Sequence, residues 1–223
     1  MHVLLSGIVG STAYGLAHAG SDLDRLGLFA VPTEELHGLH RPAESQVTSR
    51  PDRTMHEAAK WCRLALGCNP TATELAWLPT ELYERRTPLG DELIGIRASF
   101  LSAGAVRGAY LGYAAQQVRK LRSRAERGPL DEEARRRSEK HARHVLRLLR
   151  QGTGLHRTGT LEVRLPDPAA IRAEAVRMVA DPTVGETRLA RAEQEFSKPG
   201  VLPEYPDERA AEAWLRRVRA AFY

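Results

Sequence analysis

The first thirty residues constrain this chain more than any other stretch. "HVLLSGIVG" is a short apolar run ended by glycine, which reads as a buried strand. "STAYGLAHAG" follows as a short helix or turn, with Ser11 placed to cap the N–H groups after it. "DLDRLGLFAV" reads as the next strand, and Pro32 ends it. In a strand, side chains at i and i+2 share a face, so Asp22 and Asp24 are expected to project together.

Two carboxylates so close repel, and a divalent cation between them removes the conflict. An all-oxygen ligand set favours Mg²⁺ or Mn²⁺, and Mg²⁺ commonly takes one or two carboxylates plus substrate phosphates. The Gly10-Ser11 pair ends one strand and opens a helical turn, where free backbone N–H groups attract phosphate. Phosphate on one side and metal on the other is the layout of phosphoryl or nucleotidyl transfer. A third carboxylate would bind a second metal and draw the proton from an attacking hydroxyl. Asp52, in "SRPDRTMHE", is the candidate because it follows a third strand, "ESQVTS"; Glu57 is the alternative, and it also reads as a first-turn acid of the helix that begins near His56.

The rest of the chain reads as helical. "HEAAKWCRLALG" has helical spacing and a glycine stop, and "NPTATELAWL" restarts with Thr71 and Glu74 as a capping box. "SAGAVRGAYLGYAAQQVRKLRSRAERG" carries Ala103, Gly104, Ala105, Gly108, Ala109 and Gly112, small residues that would let another element approach. "DEEARRRSEKHARHVLRLLRQG" has acids in its first turn and Arg150 in its last, as the helix dipole prefers. "TGTLEVRLP" reads as a short strand, and three further helices follow it. The expectation is an α+β fold: a small mixed-sheet core over 1–98, then an α-helical domain over 99–223.

With 42% hydrophobic and 27% charged residues the chain can bury a real core, and its net charge of +5 favours anionic partners such as nucleotides or RNA. Cys62 and Cys68 form no zinc pattern and read as reduced. The amino end has no Lys or Arg before its apolar run and is interrupted by glycine, which argues against a secretory signal; no membrane span is expected, and the location is read as cytoplasmic.

The Gly-Ser pair, ten residues, then Asp-x-Asp resembles the signature of the DNA polymerase beta nucleotidyltransferase superfamily. "GSTAYGLAHAGSDLDRLG", "KWCRLALGCNPTATEL", "YLGYAAQQVRKL", "KHARHVLRLLRQG", "TGTLEVRLP" and "LPEYPDERAAEAWL", in that order, are similar to a bacterial and phage family of nucleotidyltransferases linked to RNA-repair operons. The resemblance implies a nucleotidyltransferase core and a helical domain, with NTP and Mg²⁺ bound between them. It implies Gly10 and Ser11 on the triphosphate and Asp22 and Asp24 on the metals, with Asp52 completing the set; Tyr14 and Ser21, in the same loop, are read as substrate-binding.

In the helical half, Lys140, His144 and Arg147 recur at i, i+4 and i+7 on one stripe, with Ala142, Val145 and Leu149 on the core side. The stripe reads either as a solvated basic face or as a clamp on NTP phosphates or an RNA backbone. Tyr113, Gln117 and Lys120 repeat the spacing on the preceding helix. Two functions follow: transfer of an NMP from an NTP to an acceptor hydroxyl, on RNA or on a protein, or a non-catalytic basic module that binds RNA.

Overall fold

A computed structural model describes residues 1–223. The fold is α+β, with a five-stranded mixed sheet and a helical region in the C-terminal half. It divides into two units, one of residues 1–102 with 203–223 and the other of residues 103–202. No helix is long and apolar enough to cross a membrane.

The first unit is built on β1 (His2–Ile8), β2 (Arg25–Ala30), β3 (Ser45–Ser49), β4 (Asp52–Glu57) and β5 (Tyr83–Arg86), in the order β3-β4-β2-β1-β5. Strand β2 is the centre: five of its six residues are buried, and it pairs antiparallel with β1 but parallel with β4. That explains its unbroken apolar run, since both faces are covered. Strand β4 is missed by the sequence reading, which took His56 as a helix start. "DRTMHE" holds one apolar residue, Met55, so it carries almost no alternation signal. It becomes a strand because β2 and β3 both supply ladder partners. The helix α2 (Ala58–Leu66) therefore begins two residues later than expected, with Glu57 as its N-cap accepting from the Ala59 N–H at 2.8 Å.

Short helices α1 (Gly10–Tyr14), α3 (Pro70–Glu74) and α4 (Pro88–Gly95) complete the first half of this unit. The capping box expected at Thr71 and Glu74 does not form. Asn69 caps α3, its side chain accepting from Thr71 and Ala72 N–H groups at 3.1 Å each, and Glu74 is 1% exposed. The last helix, α9 (Glu208–Ala221), packs back into this unit, which a division at 98/99 does not anticipate. Trp214 is fully buried and its indole N–H donates to the Leu89 carbonyl at 2.8 Å. Arg219 pairs with Glu57 at 2.7 Å, and its carbonyl accepts from the Thr33 hydroxyl.

The second unit contains α5 (Ala103–Ala125), α6 (Glu132–Thr158), α7 (Pro168–Ala180) and α8 (Thr183–Phe196). Asp131 and Asp167 cap α6 and α7 with side-chain acceptance from Ala134 and Ala170 N–H groups. The glycines of α5 are not where helices meet: a Cβ at Gly104, Gly108 or Gly112 would contact nothing within 4 Å. The close approach comes from the other helix, where a Cβ on Gly152 would lie 2.6 Å from the Tyr110 Cβ.

Residues 160–165, expected as a strand, join no sheet. The alternation that suggested a strand is real, because Leu161, Val163 and Leu165 are all buried. A side chain replaces the ladder: the Gln151 amide donates to the Glu162 and Val163 carbonyls at 3.2 and 3.1 Å. A single extended segment beside a helix has no neighbouring backbone to pair with, so its carbonyls take a side-chain donor instead.

Candidate active site

Strand β1 runs into α1 at Gly10, whose φ of +67° lies in the left-handed region. A Cβ there would sit 2.1 Å from the Asp24 Oδ2, so the Asp24 carboxylate occupies the space a side chain would need. The Val9 N–H donates to the Asp24 carbonyl at 3.0 Å and carries the β1–β2 ladder one residue past its formal end. Two separate features thus press Asp24 against the Gly10 turn.

Ser11 does not cap α1. The N-cap is Val9, with no side-chain hydrogen bond, and the Ser11 carbonyl receives the Leu16 and Ala17 N–H groups while its hydroxyl bonds to nothing in the protein. The start of α1 therefore keeps free donors, a local surplus that favours an anion. Ser21 shapes the loop: its hydroxyl accepts from the His18 N–H at 2.9 Å and its own N–H donates back to the His18 carbonyl. Tyr14 is buried, and its hydroxyl donates to Glu74 Oε2 at 2.6 Å, which ties α1 to α3.

Asp22 and Asp24 lie in irregular chain just before β2, not within it, because the strand begins at Arg25. Asp22 is exposed and has no ion-pair or hydrogen-bond partner. Asp52 opens β4 and is exposed. The parallel register sets Arg25 beside Arg53, and one further step back along both strands brings Asp24 level with Asp52. Glu57 sits elsewhere, 5% exposed and engaged by the Ala59 N–H and the Arg219 guanidinium.

All three aspartates are oxygen donors, and two carboxylates plus phosphate oxygens and water satisfy Mg²⁺. In ligand type Asp22 and Asp24 fit such an ion. No three His, Cys, Asp or Glu side chains are gathered into one metal-holding cluster.

In the second unit the Lys140, His144 and Arg147 stripe splits by depth. Lys140 is exposed, His144 half-buried and Arg147 2% exposed. Arg147 donates to Gln151 Oε1 at 2.8 Å and lies 3.2 Å from His144 Nδ1. Burial, with the Arg147 and His141 charges beyond it, pushes the His144 imidazole down to about 3, so it is neutral near pH 7. Ala142, Val145 and Leu149 are buried as expected. On α5, Tyr113 and Lys120 are exposed and Gln117 is half-buried.

A family model described as RlaP, RNA repair pathway DNA polymerase beta family, matches residues 1–186. The chain belongs to this family. The matched span includes every candidate residue above, from Gly10 to Arg147, and leaves out α9. Membership in a polymerase beta family points to a nucleotidyltransferase role. No curated protein matches the chain.

Glu74, Gln151 and Arg219 were not singled out from the sequence as partners of site residues. Glu74 had a signal, being an acid inside an apolar run, but its spacing to Thr71 pointed to a cap instead. Arg219 had none, because its partner lies far along the chain; Gln151 sits one turn from Arg147, but spacing alone does not show its bonds to the Glu162 and Val163 carbonyls.

Proposed function

We propose that the chain is a metal-dependent nucleotidyltransferase that moves an NMP unit from an NTP to an acceptor hydroxyl, in RNA repair or end processing. The observation that carries this reading is the Asp24 carboxylate lodged against the Gly10 turn, with Asp22 exposed two residues before it. Asp22 and Asp24 would hold Mg²⁺, which when bound neutralises phosphate charge. The Ser11 hydroxyl and the first N–H groups of α1 hold and orient the triphosphate. Asp52, the acid level with Asp24 on the neighbouring strand, accepts the proton of the acceptor hydroxyl. The acceptor oxygen then bonds to the α-phosphorus and pyrophosphate leaves.

The test is transfer of label from α-labelled NTPs to RNA and to protein acceptors, with Mg²⁺ present. Several kcal/mol of charge stabilisation are at stake, so Asp22→Asn with Asp24→Asn should cut transfer by about 10³-fold. Transfer that survives the double substitution overturns the reading. Label on RNA and not on protein assigns the acceptor.

A further inference from the structure

The second unit contains a cleft of about 560 Å³ between α6, α7 and α8, within the size range of small-molecule sites. Leu146, Leu149, Leu165 and Ile171 supply an apolar floor. Arg150 and Arg157, two turns apart on α6, and Arg191 on α8 stand around it. None of these three guanidiniums has an ion-pair partner. The acids of the cleft are mostly engaged. Glu174 pairs with Arg188, Glu195 with Lys198 at 2.6 Å, and Asp167 caps α7. The Lys198 ammonium, with Arg191 and Arg157 beyond it, holds the Glu195 carboxyl below its ordinary range. Glu162 and Asp167 are the lining carboxylates with no side-chain partner, Asp167 accepting only the Ala170 N–H that it caps.

We infer that this cleft binds a nucleoside phosphate, with the phosphate on Arg150, Arg157 and Arg191 and the sugar and base over the apolar floor. Three planar guanidinium forks match phosphate oxygens bidentately, which lysines would not. A phosphomonoester carries about two negative charges at neutral pH, and the three arginines outnumber Glu162 and Asp167, the carboxylates no cation neutralises, by one. The Glu162 carboxylate is an acceptor for a ligand hydroxyl or amino group. The site rests on residues of the second unit alone, and so stands or falls apart from the nucleotidyl-transfer reading.

The chemistry is shared by a free mononucleotide and by the phosphorylated end of an RNA strand. Methyl NMR separates them, followed at Leu165 and Ile171 without Mg²⁺ while adenosine 5′-monophosphate or a 5′-phosphorylated oligouridylate is added to the full chain. Saturating shifts with both ligands place a free nucleotide in the cleft, and shifts with the oligonucleotide alone place a strand end there. Replacing Arg150, Arg157 and Arg191 with Gln should weaken either binding by about 30-fold and, for the strand, lower the slope of log affinity against log salt by about two. All three side chains are exposed, and an unchanged melting temperature confirms that the variant is folded. The inference is overturned if neither ligand shifts these methyls, or if the triple variant binds as the native chain does. Loss of transfer in the aspartate variants with cleft binding intact leaves this site standing; the reverse leaves only the enzyme.

Discussion

The loop from Gly10 to Asp24 and the stripe from Lys140 to Arg147 are both sets of polar residues picked out by spacing, and they meet opposite fates. In the loop two polar groups stay available: the Ser11 hydroxyl is unbonded and Asp22 is exposed without a partner. In the stripe the far end is drawn inward, and Arg147 ends 2% exposed with Gln151 and His144 beside it. Lys140 and Arg147 share nearly the same azimuth on α6, yet lie roughly 10 Å apart along its axis. What differs is the packing at each level. At Gln151, the partner of Arg147, the extended segment 160–165 lies over the helix, while Lys140 is exposed. Spacing tells which way a side chain points and leaves open whether water is there to meet it.

Gln151→Leu tests the comparison most severely. It removes an acceptor from a buried guanidinium and the donor to two carbonyls, so about 3–5 kcal/mol of stability should be lost by denaturant titration. A loss near zero would mean that the buried network is not what holds segment 160–165.

The acid limb of stability is the next largest effect. The native His144 stays neutral down to about 3, whereas in the unfolded chain it takes up a proton near 6.5. Between those values the unfolded state binds more protons, so stability is full above the upper one and falls as pH drops, by at most about 1.4 kcal/mol per unit from this group. Half-burial of His144 makes the real slope shallower. His144→Gln should flatten the limb in denaturant titrations repeated across that range, and an unchanged limb would place the acid sensitivity elsewhere, as at His56, whose imidazole is lowered by burial and then by Lys60.

Lys140→Ala is the smallest expected change, within about 0.5 kcal/mol in the same titrations, because its head group is in water. A loss comparable to that of Gln151→Leu would erase the distinction between the two ends of the stripe.

The candidate site was legible to a useful degree because its parts are close in sequence. Gly10, Ser11, Asp22 and Asp24 lie within fifteen residues of chain, and a turn plus a strand start is enough to bring Asp24 onto Gly10. Asp52 was harder. It was read as following a strand, and it opens one, because β4 has too little alternation to be seen without its neighbours. The Asn69 cap of α3 was missed for a different reason: Asn69 and Thr71 both begin plausible motifs, and only burial of Glu74 against Tyr14 decides between them. The glycines of α5 misled in the same way, since residues that permit close packing need not receive it.

By itself the sequence determined the local and the periodic: the apolar strand before Gly10, the acidic first turn of α6, and the core face of α6 at Ala142, Val145 and Leu149. Each follows from hydrogen bonds or side-chain directions within a few residues. Tertiary structure alone decided that β4 is a strand, that Gln151 replaces a ladder, that Arg219 reaches Glu57, and that α9 rejoins the first unit. Those outcomes depend on which distant backbone or side chain supplies the missing partner for a polar group, and a partner far along the chain leaves no mark on local spacing.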